Sequence, residues 1–231
     1  MRENPPFTLP FLSRLLEGFA AAGLVSALYF AAGQRAGHAQ PAWEHAFDGL
    51  IPFVPASVWV YMPGYWTLFV MATWVVRDPI RWRAGVLGLC SLTLAALPFF
   101  LLWPVAGPRP DAPLDPSWTS GLIRWLYAND PSVNTFPSLH VANSTYCALL
   151  VAANDRRWRW VAGAGALAVA VSVLTLKQHW LVDVPAGVLL GTAGFAAWRA
   201  LIALPAPYGL PARPFERLAP ARVLGRLLDR R

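Results

Sequence analysis

"AGVLGLCSLTLAALPFFLLWPVA", residues 84–106, contains no charged side chain and is longer than the roughly twenty apolar residues that carry an α-helix across the hydrocarbon core of a bilayer. The rest of the chain is built the same way. Of 231 residues, 56% are hydrophobic and 13% are charged, whereas soluble domains carry about 25% charged residues. That balance suits lipid better than water, and the chain reads as one integral membrane domain.

Outward from residues 84–106, five further apolar runs complete a set of six: 16–32, 57–76 (interrupted by Pro63 and Gly64), 139–153, 158–176 and 181–203. The expected fold is therefore all-α, an integral membrane six-helix bundle. It forms a single domain over 1–231 with a core of about 84–203 and a basic tail of about 204–231. The run 139–153 is short and holds Asn143, Ser144 and Thr145, so it is expected inside the bundle against other helices. The first run could also be read as a signal peptide, because "GHAQ" at 37–40 offers a small-x-small cleavage site. "GPRPDAPLDPSWTSGLIRWLYANDPSVNTFP", 107–137, reads as a long loop, and the tail "FERLAPARVLGRLLDRR" as a short amphipathic helix on a membrane surface.

Charge placement gives an orientation. Fifteen of the nineteen basic residues lie in the N-terminal segment, the connectors at 77–83 and 156–159, and the C-terminal end, which leaves Arg35, Arg109, Arg124 and Lys177 on the other side. By the positive-inside rule both termini are cytoplasmic, and the long loop faces the exterior, or the periplasm in a bacterium. The formal charge of +7 is explained by span ends and anionic lipid, so membrane lipids and not nucleic acid are the expected partners. Cys90 and Cys147 lie inside apolar runs and read as small core residues. His38, His45, Glu44 and Asp48 lack ligand spacing and read as a polar loop.

The polar residues at the outer span ends carry the chemistry. They are Arg109 in "GPRP", Ser138 and His140 in "FPSLH", and Lys177, His179 and Asp183 in "LKQHWLVD". Ionisable groups near membrane depth are costly and usually line a cavity or react. Two histidines, two cations, a hydroxyl and a carboxylate suit phosphoryl transfer through a histidine. One neutral imidazole attacks phosphorus, a carboxylate holds its other nitrogen, and a second histidine protonates the departing alkoxide. Asp183 stands four residues after His179, one helical turn along. Ser138 reads as an N-cap that aims the N–H groups of the next turn, Leu139 first, at an anion. Asp183 could equally cap the last run without any chemistry. The acidic residues on this side, Asp111, Asp115, Asp130 and Asp183, lack metal-ligand spacing, so neither a metal nor another cofactor is expected.

Arg109-Pro110, then "PSLH" at 137–140, then "HWLVD" at 179–183 resembles the three-part signature of the type 2 phosphatidic acid phosphatase superfamily, whose membrane members have six-helix cores with this order. The resemblance implies that His179 is the nucleophile, His140 the general acid and Asp183 the orienting carboxylate, with Arg109 and Ser138 as phosphate ligands. Some expected residues are replaced. Leu102 stands where the family has a lysine, Leu139 where it has a glycine, and Val173 where it has an arginine. Lys177 is the candidate to supply one missing cation, with Arg124 second. "FPSLHVA", "TLKQHW" and "IPFVP" look like the branch that contains inositol phosphorylceramide synthases. The expected activity is therefore removal of phosphate from a lipid phosphate at the outer face. The alternatives are transfer of a phospho-head group to an alcohol, or a non-catalytic membrane scaffold.

Overall fold

The computed structural model describes residues 9–35, 46–110 and 114–203. Among them are seven α-helices and no strand: α1 (Leu9–Arg35), α2 (Val58–Val75), α3 (Pro79–Leu102), α4 (Trp118–Asn129), α5 (Leu139–Asn154), α6 (Arg159–Thr175) and α7 (Asp183–Ala203). Six of these take up the six apolar runs. The seventh, α4, lies in the stretch expected to be loop, so the count of six is corrected to seven. Ser117 caps α4 by accepting from Ser120 N, and Ile123 and Leu126 are buried against Val58, Tyr61, Val169 and Val173. The sequence signal was present in that cap and the three-residue spacing of the apolar pair, but the flanking prolines and aspartates obscured it.

Four of the described helical segments are long and apolar enough to cross a membrane: Phe11–Gln34, Pro79–Leu102, Arg156–Thr175 and Asp183–Ala203. α2 and α5 fall outside that set for physical reasons. α2 has 18 residues, carries Pro63 in its interior and is rich in tyrosine and tryptophan. α5 has 16 residues and faces protein on most sides, packing against α2, α3, α6 and α7. Its interior includes the fully buried Tyr146, Ala142 and Val151, so it tolerates the polar run 143–145 that lipid would not.

Apart from α4, the helices run alternately up and down, which sorts the chain into two ends. At one end Arg14 donates to the Arg77 carbonyl, Arg83 pairs with Glu17 at 3.2 Å, and Trp198 donates to the Arg81 carbonyl. At the other, Ser57 bonds Thr175 across α2 and α6, and Ser138 N donates to the Asp183 carbonyl across α5 and α7. α5 and α7 approach closely because Gly187 and Gly191, four apart on α7, face α5. A Cβ at Gly187 would lie 2.6 Å from the Ser138 carbonyl oxygen, and one at Gly191 would collide with the Ala142 carbonyl oxygen. Small residues at this spacing let membrane helices touch backbone to backbone. The consequence is local: the start of α7 is held against the start of α5. The basic tail expected as an amphipathic helix, and His38, Glu44 and His45, lie outside the described residues.

Candidate active site

Three loops at this end are stitched together by backbone. Val105 N and Gly107 N donate to the carbonyls of Val133 and Ser132, and the Thr135 hydroxyl donates to the Val105 carbonyl. The segment before Arg109 therefore runs alongside the segment before Pro137. The third motif joins them through Trp180, whose indole N–H donates to the Ala106 carbonyl at 2.7 Å. Residues far apart in sequence thus meet without help from any regular sheet.

The turn that carries His179 begins where α6 ends. Lys177 N donates to Leu174 O, Gln178 N donates to Val173 O, and Lys177 takes the left-handed backbone, φ 55°. This is the helix-ending motif that usually places glycine at the left-handed position. The chain reverses there and presents His179 back toward α5. The turn is clamped from outside by Asp48, whose carbonyl oxygen accepts from Lys177 Nζ at 2.9 Å and whose Oδ1 accepts from Leu181 N at 2.7 Å. Asp48, expected only as part of a polar loop, is 5% exposed. Removing its carboxylate would leave the Leu181 N–H without that acceptor, at a cost of about 1–3 kcal/mol.

His179 Nδ1 lies 3.1 Å from Asp183 Oδ2, and the same oxygen accepts from Trp180 N at 2.9 Å. Asp183 is fully buried and His179 nearly so. With Nδ1 donating to the carboxylate, the Nε2 lone pair is free to act. His140, the second residue of α5, faces His179 with ring centroids 6.2 Å apart. Both rings border a cleft between α1, α2, α3 and α5 that also meets Leu139, Tyr65, Trp66, Asn134 and Asn143, with a cavity volume of about 90 Å³.

The other expected ligands are placed differently. Ser138 is buried and its Oγ accepts from Val141 N at 3.4 Å, the N-cap of α5. That cap leaves the N–H groups of Leu139 and His140, in the first turn, without intrahelical acceptors. Arg109 donates to the Tyr127 and Asp130 carbonyls and to Gln178 Oε1, at 2.9, 3.0 and 2.9 Å, and sits 3.7 Å from Asp130 Oδ2. Its guanidinium ties α4 to the His179 turn and does not border the cleft. Lys177, on the Asp48 carbonyl, does not border it either. Arg124 donates to the Asp115 carbonyl on the exposed side of α4.

A family model described as the PAP2 superfamily matches residues 36–197. The chain belongs to the PAP2 superfamily. Searches of curated proteins and of solved structures gave no match. Superfamily members are generally phosphatases or phosphotransferases, and in this PAP2 chain the three motifs occupy one end of the helix bundle.

Several residues around the candidate site were given no part in it from sequence. Tyr61 of α2 stacks on His140 at 4.3 Å between centroids, with its hydroxyl 3.4 Å from His140 Nδ1 and 3.4 Å from Asp130 Oδ2. Tyr29 of α1 donates to Asp130 Oδ1 at 3.0 Å. Burial pushes the Asp130 carboxyl up from its ordinary range, while the Tyr29 hydrogen bond and the Arg109 charge pull it down. Asn134 and Asn143 border the cleft, and neither Oδ1 has a hydrogen-bond partner. Tyrosines in an apolar run look like interface residues from sequence alone, and Asp130 looks like a turn residue before proline. Only the fold sets them behind His140. Among the described residues, no three histidine, cysteine, aspartate or glutamate side chains gather as a possible metal site.

Proposed function

We propose that the protein removes phosphate from a lipid phosphate through a phosphohistidine on His179. The observation that carries this reading is the His179–Asp183 pair at 3.1 Å beside the His140 ring, with the two imidazole centroids 6.2 Å apart and both rings bordering one cleft. His179 Nε2 attacks phosphorus, the bond from phosphorus to the leaving oxygen breaks, and that oxygen takes a proton from His140 Nε2. Asp183 holds the proton on Nδ1 and stabilises the positive charge that develops on the ring. In the second half, His140 takes a proton from water as the water oxygen attacks phosphorus. The N–P bond breaks and His179 is regenerated.

Phosphate oxygens are held by the first-turn N–H groups of α5, Leu139 and His140, where the helix dipole favours an anion. Ser138 contributes through the cap that leaves those groups open. The cleft opens between helices, so a lipid enters from the side with its phosphate at the loop end and its chain among Tyr65, Trp66 and Phe69. The six apolar helices span the bilayer with both termini cytoplasmic and the histidines on the outer side, in keeping with the distribution of arginines.

Transfer to an alcohol is the second reading, and two carboxamide oxygens without a hydrogen-bond partner on residues that line the cleft, Asn134 Oδ1 and Asn143 Oδ1, favour it. These oxygens offer acceptors to the hydroxyl of an incoming alcohol. One assay tests both readings. Purified protein is given lipid phosphates and phospholipids with and without alcohol acceptors, and free phosphate is scored against new phosphodiester. His179→Ala should abolish either product while the protein still folds and inserts. Near wild-type turnover in that variant would overturn the nucleophile.

A further inference from the structure

His140 is the residue whose surroundings the motifs do not explain. The third motif supplies a carboxylate for His179 inside the same five residues, but nothing in "FPSLH" supplies a partner for His140 Nδ1. The fold supplies one from elsewhere in the chain. We propose that Tyr61 is a positioning residue for His140, linking its Nδ1 through the phenol hydroxyl to the carboxylate of Asp130. This rests on the reading of His140 as the general acid.

The geometry fixes the direction of each bond. An ionised Asp130 carboxylate can only accept, so the single Tyr61 hydroxyl proton goes to Asp130 Oδ2 at 3.4 Å. The hydroxyl lone pair then faces His140 Nδ1 at 3.4 Å, which makes that nitrogen the N–H donor. The tautomer is thereby chosen, because a ring that keeps its proton on Nδ1 presents Nε2 to the substrate. Both contacts are long, as catalytic hydrogen bonds often are before substrate closes a site. Ring stacking at 4.3 Å and 30° removes the remaining freedom of the imidazole.

The far end of the relay is anchored as well. Asp130 accepts from Tyr29 at Oδ1 and lies 3.7 Å from the Arg109 guanidinium at Oδ2. Tyr61 is 2% exposed, so water does not compete for its hydroxyl. The nearby titratable groups around His140 are Tyr61 and Tyr65 from α2 and His179 from the turn before α7, with Tyr29 from α1, Cys90 from α3 and Cys147 from α5 lining the same cleft and Asp130 linked through Tyr61.

The relay moves no proton of its own. When His140 Nε2–H gives its proton to the leaving oxygen, the P–O electron pair goes to that oxygen. Nδ1–H stays on Tyr61, and Tyr61 O–H stays on Asp130. The imidazolium that precedes this step has its charge spread toward a buried carboxylate, as the imidazolium of a serine-hydrolase triad does. The site then holds two carboxylate-oriented histidines. His179 is held directly by Asp183, and His140 through an intervening phenol.

The test uses full-length protein in detergent with two probes, dodecyl phosphate and a nitrophenyl phosphate carrying the same chain. Tyr61→Phe should lower kcat for dodecyl phosphate by about tenfold or more with little change in KM, and should alter the nitrophenyl probe by less than about threefold, since a good leaving group needs little protonation. In protein labelled with ¹⁵N-histidine, the His140 ring, assigned by its loss in His140→Ala, should read as protonated on Nδ1 and should lose that signature in Tyr61→Phe. Should Tyr61→Phe fail to fold, 3-fluorotyrosine at position 61 keeps the ring and the hydroxyl, and must still move the His140 ¹⁵N resonances. Wild-type dodecyl phosphate turnover and an unchanged ring signal in Tyr61→Phe, beside an inactive His140→Ala, would overturn the positioning role alone. Unimpaired dodecyl phosphate turnover in His140→Ala would overturn the general acid, and the positioning role of Tyr61 with it.

Discussion

Replacing Asp183 by asparagine probes the centre of the proposed site while changing little else. The backbone carbonyl of Asp183, which accepts from Ser138 N, is untouched, so the contact between α5 and α7 stays in place. Oδ2 accepts from His179 Nδ1 and from Trp180 N, at 3.1 and 2.9 Å. An amide oxygen at that position can still accept, but it carries no charge and cannot stabilise a positive imidazole to the same degree. Hydrogen bonds to a charged partner are worth about 1.5–3 kcal/mol, and each 1.36 kcal/mol is tenfold in rate, so kcat should fall about 10- to 150-fold. Burial argues for the upper part of that range, because Asp183 is fully enclosed and water cannot replace the lost charge. The assay is phosphate release from a lipid phosphate in mixed micelles, with thermal unfolding in the same detergent to show that the bundle is intact. A folded Asp183→Asn protein with kcat within about twofold of wild type would refute the reasoning, because the carboxylate would then be no more than a cap on α7.

Two further outcomes follow from the same geometry. Lys177→Gly should unfold at nearly the wild-type temperature, because relief of the left-handed backbone, about 1 kcal/mol, offsets the lost bond to Asp48, whereas Lys177→Val should unfold lower; equal losses in both would contradict the helix-ending turn. For orientation, a cysteine at Trp118, which is 92% exposed on α4, should react with a membrane-impermeant thiol reagent on intact cells, and one at Arg157 should not; the reverse pattern would place the histidines on the cytoplasmic side.

What the sequence made legible, and what it hid, divides along the range of the interactions involved. Helix positions came from runs of apolar residues, a property of each run by itself. The pairing of His179 with Asp183 is also local, four residues apart across one turn, and the Ser138 cap acts within its own segment. The partners of Arg109 and Lys177 are not local. Arg109 reaches Gln178, 69 positions away, and Lys177 reaches Asp48, 129 positions away. Neither set of partners, the Tyr127 and Asp130 carbonyls and the Gln178 amide oxygen for Arg109 and the Asp48 carbonyl for Lys177, is visible from the residues around the motifs. α4 was hidden for a related reason. Its apolar face is completed by α2 and α6, so its amphipathic pattern is too short to stand out among prolines.

The placement of α4 also changes how this end of the bundle is understood. Its last turn and the Asp130 that follows it deliver the Tyr127 and Asp130 carbonyls to Arg109, and Asp130 delivers its carboxylate to Tyr29 and Tyr61. Arg109 in turn bonds Gln178, the residue before His179. One short helix thus touches the supports of both histidines, through Tyr61 on one side and Gln178 on the other. In this arrangement Arg109 bonds three acceptors at 3.0 Å or less, more than a side chain merely reaching for the interface would make. The two imidazoles are held differently: His179 by Asp183 within its own turn, and His140 by Tyr61, whose hydroxyl reaches Asp130 just past the end of α4.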